Sequence, residues 1–146
     1  MRTFLFLLLG GLTASAIPSQ RDALSAAKRA ALGAYTAAQS TQDKARFAEA
    51  ITKLQSVGEM VIAANKAALG AIKPGYPVDI KSPQARQTWD KKMGDIRRSL
   101  GDANKEIAAF VPPAEMTPAD IRAVDGLVRS LDKAIEAHHA ASLNIR

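Results

Sequence analysis

Apolar residues recur at every third or fourth position in four long stretches of this chain, and proline, glycine and serine are concentrated between those stretches. Side chains at that spacing line one face of an α-helix, whereas a half-buried strand alternates at every second position. Residues that commonly cap helices stand at the start of each stretch. The pattern therefore predicts four amphipathic helices.

The first predicted helix begins at Ser19, with Asp22 three residues later in the arrangement of a capping box. One charged residue, Lys28, falls on its otherwise inward-facing stripe. The positions of this stripe are Leu24, Lys28, Ala31, Leu32, Tyr35 and Ala38. A lysine in such a place usually extends its charged head to solvent while its stem covers apolar surface.

The second predicted helix follows capping signals at Ser40 and Asp43. Its apolar positions are Phe47, Ile51, Leu54, Val57, Val61, Ala64, Ala68 and Ile72. It ends at Lys73-Pro74-Gly75, because proline cannot continue a helix and glycine frees the backbone. The loop over residues 73–81 is long enough to cross one end of a bundle.

The third and fourth predicted helices carry regular heptad seams. Ser82 caps the third, with Pro83 at its first helical position, and after Pro112-Pro113 the fourth is capped by Thr117 with Asp120 closing the box. The seams consist of Trp89, Met93, Ile96, Leu100, Ala103, Ile107 and Phe110, and of Ile121, Val124, Val128, Leu131, Ile135, His138 and Ser142. Such seams are typical of left-handed antiparallel bundles.

Four helices joined by short connections predict an all-α fold, an antiparallel up-down-up-down four-helix bundle. A chain of 146 residues has room for one domain. Abundant alanine and an aromatic content of 5% also favour helices over strands. We assign the bundle to residues 17–146.

Residues 1–16 have the composition of a cleavable signal peptide. Arg2 and the amino terminus supply positive charge, residues 4–12 are an apolar stretch, and Ala14-Ser15-Ala16 forms a small-x-small cleavage site before Ile17. The apolar stretch is shorter than the roughly 20 residues that a spanning helix needs. We expect export to the periplasm of a Gram-negative cell, with no stable membrane insertion after cleavage.

Composition excludes several classes of function. The net charge is +6, but lysine and arginine are dispersed among acidic residues, which is typical of a solvated surface and predicts no nucleic-acid partner. The absence of cysteine excludes disulfides, cysteine-ligated zinc and covalently attached c-type haem. No nucleophile–base pair, glycine-rich phosphate loop or close carboxylate pair is found, so we do not expect an enzyme.

The chain has two histidines, His138 and His139, near the end of the fourth helix. His138 continues the seam, while His139 lies four residues after Ile135 and also points largely inward. Adjacent residues on a helix differ by about 100°, so one imidazole faces the core more squarely, and spacing does not decide which. A histidine near the end of a helix can also interact favourably with the negative end of the helix dipole, or lie partly exposed to solvent.

With its helices placed in this way, the chain resembles the cytochrome b562 family of exported, haem-binding four-helix bundles. The resemblance covers nearly all of residues 17–146. It is strongest at 47–54 (FAEAITKL), at 81–83 (KSP) and at 131–139 (LDKAIEAHH). The bundle length, the long second loop and the signal peptide agree with it. Members of that family hold haem b without covalent attachment, by a methionine near the start of the first helix and a histidine near the end of the fourth.

The resemblance implies haem b as cofactor, His139 as an iron ligand, and Trp89 and Met93 as residues that line the porphyrin. The methionine ligand does not carry over, because the matching position falls at or near Lys28. A lysine amine must lose its proton before it can bind iron, which costs roughly 4 to 5 kcal/mol at neutral pH. A thioether has no such cost.

Two functions from different classes follow. The first is a b-type haem carrier that transfers electrons to a redox partner protein in the periplasm, with a weak, exchangeable or empty sixth position on iron. The second is a haem-free bundle of the same fold that binds another protein or a small ligand. The missing methionine favours the second, whereas His139 with Trp89 and Met93 favours the first, which we take as the expected function.

Overall fold

The structure is a computed structural model that describes residues 19–144. It contains four α-helices: α1 (Arg21–Thr41), α2 (Lys44–Ala71), α3 (Pro83–Ala108) and α4 (Pro118–Asn144). Residues 19–144 contain no strand. The predicted all-α four-helix bundle is confirmed. The predicted signal peptide, residues 1–16, lies outside the described residues, and its cleavage stays a prediction.

Three of the predicted helix caps are present. Asp43 accepts hydrogen bonds from the backbone of α2 at 3.0 and 3.2 Å, and Ser82 accepts one from α3 at 3.1 Å. At the start of α4, Thr117 Oγ1 accepts from Asp120 N at 3.2 Å while Asp120 Oδ2 accepts from Thr117 N at 3.1 Å, which is the predicted capping box. These contacts satisfy backbone N–H groups that have no partner inside the helix.

Two predicted caps are wrong. Helix α1 begins at Arg21 with Gln20 as its N-cap, and no side chain caps it. Ser19 accepts instead from Arg21 N, at 3.3 Å, and reaches across to α4. Ser40 lies within α1, where its hydroxyl donates to the carbonyl of Thr36 at 3.1 Å, so it has no role in starting α2.

The contacts between helices establish their directions. From α1 to α4 they join Gln20 with His138, Lys28 with Asp132 and Tyr35 with Asp125. Residue numbers rise along α1 while they fall along α4, so these helices run in opposite directions. From α2 to α3, Gly58 lies against Ile107 and Asn65 donates to Asn104, which gives the same result. Within the described chain, α2 also packs against α4, whereas α1 and α3 do not meet.

The core is divided into two clusters of buried residues. The large cluster extends from Tyr35 and Phe47, whose rings are 5.7 Å apart, to Leu24 and Ile135. The small cluster consists of Ala68, Leu100 and Ala141, with Leu69, Ala71, Ile72, Ile96 and Ala137 partly buried around it. It lies at the end of the bundle where α2 and α4 end. Two of the three buried residues of the small cluster are alanines, so this end of the bundle buries less apolar surface than the large cluster does.

None of the helices within residues 19–144 is long and apolar enough to cross a membrane.

Candidate functional site

The two histidines meet the first described residues of the chain, where α1 begins and α4 ends. The backbone N–H of Gln20 donates to His138 Nε2 at 3.2 Å, and Ser19 Oγ lies 2.9 Å from His139 Nδ1. Each imidazole therefore forms a hydrogen bond with a residue that directly precedes α1. The antiparallel direction of α1 and α4 brings together residues that are more than a hundred positions apart in the sequence.

His138 is the imidazole that faces the core. It is 0% exposed, and it continues the seam that contains Leu131 and Ile135, as its spacing predicted. Because Nε2 accepts a hydrogen bond from Gln20, it carries no proton, and a neutral ring must hold its proton on Nδ1. Burial, and then the charge of His139, lower the pKa of His138, so the ring is neutral at neutral pH.

His139, the predicted iron ligand, is only partly exposed and turns toward Ser19. In the tautomer with the proton on Nδ1, that nitrogen donates to Ser19 Oγ and the Nε2 lone pair is free to bind a metal. Metal-binding histidines commonly hold their second nitrogen in this way. Ser19 was predicted only as a helix cap, and no sequence pattern marked it as a partner of the histidine.

Lys28 does not come together with His139. Its Nζ forms an ion pair with Asp132, and its side chain is 17% exposed. Asp132 precedes His139 by seven residues, which is about 10 Å along α4. Two ligands of one iron atom lie about 4 Å apart, since each metal–nitrogen bond is about 2 Å long. The pair with Asp132 therefore holds the Lys28 amine outside the coordination sphere that His139 defines.

Trp89 and Met93 lie at the same end of the bundle as the histidines but further out. Met93 is 5% exposed and Trp89 is half-buried. Ser130 donates to Glu106 at 3.1 Å, which fixes how α3 and α4 are aligned. In that alignment His139 lies opposite residue 97, so Met93 is one turn beyond it and Trp89 two turns. Neither residue's helix touches α1.

The residues fit one half of a haem site. His139 could supply one nitrogen ligand, because its other nitrogen already has a partner in Ser19. Lys28 does not fit as the second ligand. Around His138 the neighbouring positions Leu24, Ile135 and Ala141 are at most 2% exposed, so the side chains pack closely there.

The sequence patterns did not predict a part-buried hydrogen bond between α2 and α3. Asn65 of α2 is 0% exposed, and its Nδ2 donates to Asn104 Oδ1 of α3 at 3.1 Å. The sequence did indicate that Asn65 is buried, since it stands four residues after Val61 and three before Ala68, on the apolar face of its helix.

A separate pocket of about 360 Å³ lies at the opposite end of the bundle, lined by Gln39, Gln42, Lys44, Met116 and Ile121. Lys44 is held there by Glu115 at 2.7 Å. Neither histidine lines this pocket, and none of the predicted haem-binding residues does. The pocket is therefore separate from the candidate haem site.

Within residues 19–144, no group of three or more histidine, aspartate and glutamate side chains is arranged to hold a metal ion. Comparison of the chain with protein-family models, with curated proteins and with solved structures gives no match. No family is therefore shown, and the resemblance to the cytochrome b562 family stays a prediction.

Proposed function

We propose that this chain is an exported four-helix bundle that binds haem b without covalent attachment, at the end where α1 begins and α4 ends, with His139 as the protein ligand. One observation carries the proposal. Ser19 lies 2.9 Å from His139 Nδ1, an arrangement that fixes the ring and directs Nε2 away from the hydrogen bond.

The residues around His139 have distinct parts in this proposal. Ser19 can accept a hydrogen bond from Nδ1–H of His139, and this contact limits rotation of the imidazole. Trp89 is half-buried and offers apolar surface at the outer end of the bundle, where it would cover a porphyrin edge, whereas Met93 is buried beneath that surface. Bound haem would supply one-electron chemistry, and a periplasmic redox partner would exchange that electron.

Lys28 would not bind the iron in this proposal. Lys28 is paired with Asp132, and a lysine amine would in addition have to lose a proton. We therefore expect His139 to be the single side chain that would bind the iron. Affinity would depend on His139 and on the burial of the porphyrin.

A haem-free bundle that binds a protein or small ligand in the periplasm is the second candidate. It is favoured by the close packing around His138, whose Nε2 already accepts from Gln20 at 3.2 Å. Insertion of a porphyrin between α1 and α4 would have to separate Leu24 from its buried neighbours, which costs apolar burial.

Titration with haemin distinguishes the two candidates. The purified chain and its His139→Ala, His138→Ala and Ser19→Ala variants are titrated, and the Soret band is recorded. We expect the band to sharpen and shift with the unsubstituted chain, the change to be lost in His139→Ala, and the affinity to fall in Ser19→Ala. His138→Ala is the matched control and should keep most of the change.

A Soret band that stays unchanged with the unsubstituted chain would exclude the haem proposal and leave the haem-free bundle. If the Soret change is lost in His138→Ala but kept in His139→Ala, the iron ligand is His138 and not His139. Circular dichroism of each variant, recorded without haemin, separates loss of binding from loss of folding.

A further inference from the structure

Two buried side-chain atoms within residues 19–144 have no hydrogen-bond partner in the protein: Asn65 Oδ1 and His138 Nδ1. Both residues are 0% exposed. A buried polar atom without a partner is costly, and native proteins rarely leave one in that condition. Two such atoms in one small bundle therefore call for a common explanation.

The alignment of α2 and α4 places these two residues at the same level. A Cβ added to Gly58 would lie 3.8 Å from Leu131 Cδ2, so these positions of α2 and α4 face each other. Asn65 follows Gly58 by seven residues, and His138 follows Leu131 by seven. Seven residues are about two helical turns. Helices α2 and α4 run in the same direction, because Gly58 faces Leu131 and, ten residues further along each helix, Ala68 and Ala141 share the small cluster. Asn65 and His138 therefore lie on facing stripes.

The two unpaired atoms are chemically complementary. Asn65 Nδ2 donates to Asn104, so its Oδ1 is an acceptor. His138 Nε2 accepts from Gln20 N, so its Nδ1 carries a proton and is a donor. They do not hydrogen-bond each other directly. One water molecule can donate to Asn65 Oδ1 and accept from His138 Nδ1–H, and it can span atoms up to about 5.5 Å apart.

Several core positions next to these two residues carry small side chains. Three of the buried core positions one turn from Asn65 on α2 or from His138 on α4 are alanines, whereas Val61 and Ile135 are larger. These alanines are Ala68, Ala134 and Ala141, and each is 0% exposed. Larger side chains at those positions would fill the space between α2 and α4.

We propose that Asn65 and His138 form a binding site for one buried water molecule, which completes a polar layer across all four helices. The layer runs from Asn104 of α3 through Asn65 of α2, the water and His138 of α4 to the backbone N–H of Gln20 before α1. It separates the large cluster of the core from the small one, since Ala64 and Ile135 belong to the first and Ala68 and Ala141 to the second. The site does not depend on haem, because His138 is not the proposed iron ligand.

A crystal structure of the unsubstituted chain tests the site directly. We expect density for a water within about 3.2 Å of both Asn65 Oδ1 and His138 Nδ1. Nuclear magnetic resonance of the same protein should show the proton on Nδ1 of His138 and a cross-peak from that proton to water. A direct hydrogen bond between the two side chains, an apolar side chain between them, or a proton on Nε2 would each overturn the proposal.

Energetic coupling provides a second test. Asn65→Leu and His138→Leu each remove one side of the bridge, and each should lower the folding equilibrium constant by about tenfold to a hundredfold. The double variant leaves neither atom unpaired, so its loss should be at least about fivefold smaller than the product of the single effects. Tyr35→Phe, at the other end of the bundle, should combine with Asn65→Leu without coupling. Independent effects of the two leucine variants would contradict the shared water.

Discussion

The sharpest stability prediction concerns Gly58, which lies where α2, α3 and α4 approach one another. Gly58 is buried, and a Cβ added there would lie 2.8 Å from Ile107 Cγ2 and 3.8 Å from Leu131 Cδ2. Carbon atoms in good contact are about 3.5–4.0 Å apart, so an alanine would overlap Ile107. Isoleucine is branched at Cβ and has a restricted χ1, and its Cγ2 cannot swing away as the tip of a long side chain can.

The magnitude follows from two opposing terms. Replacing glycine by alanine in a helix interior stabilises it by about 1 kcal/mol, because the unfolded chain loses freedom. Forcing an extra methyl group into a packed core costs about 1–3 kcal/mol. We expect Gly58→Ala to lower the free energy of unfolding by up to about 2 kcal/mol, which is the difference between these terms.

Gly33 is the matched control, because it is also inside a helix but has nothing within 4 Å of an added Cβ. Gly33→Ala should therefore raise the free energy of unfolding by about 0.5–1 kcal/mol. Urea unfolding followed by circular dichroism measures both changes. Adding Ile107→Ala to Gly58→Ala removes the overlapping methyl group, so the two substitutions should be less harmful together than their sum. Equal stabilisation by Gly58→Ala and Gly33→Ala would refute the close approach of these helices.

Two further predictions concern charged and titrating groups. Burial, and then Asp125, raise the pKa of Tyr35 from 10.0 to about 12, so the native state holds this proton more tightly than the unfolded chain. The contribution of Tyr35 to stability is therefore complete below pH 10 and is lost as the pH rises from 10 toward 12. Urea unfolding at several pH values should show this loss of stability. The loss should be smaller in Tyr35→Phe. Lys28→Met removes the ion pair with Asp132 and should change stability by no more than about 1 kcal/mol. Position 28 lies too far from His139 to share an iron atom with it, so the haemin spectrum of Lys28→Met should match that of the unsubstituted chain. A shift of the Lys28→Met spectrum to a six-coordinate form would show that residue 28 reaches the iron.

Much of the fold was predictable because local patterns and local chemistry agree. The caps at Asp43, Ser82 and Thr117 act within three residues of themselves, so their function is readable from the sequence. The seams predicted the buried faces of α3 and α4, including His138. Leu127, Ala134 and Ala141 were missed, since these helices each contact more than one neighbour and bury a stripe wider than a heptad seam.

The candidate site was predictable in part. The sequence located both histidines near the end of the fourth helix but left open which of them faces the core, and packing decides it in favour of His138. Lys28 was marked as out of place on an apolar face. Its partner, Asp132, could not be found from the sequence, since nothing local to either residue records how α1 is aligned with α4.

Sequence alone determined the number of helices, most of their boundaries and the apolar faces, because helix period, capping and chain breaks are properties of neighbouring residues. Tertiary structure decided which polar groups meet. Ser19 binds His139 instead of capping a helix, and Asn65 and His138 lie on facing stripes of α2 and α4, because the alignment of packed helices depends on contacts such as that of Gly58 with Ile107. Such contacts form between residues far apart in the chain, and no local pattern encodes them.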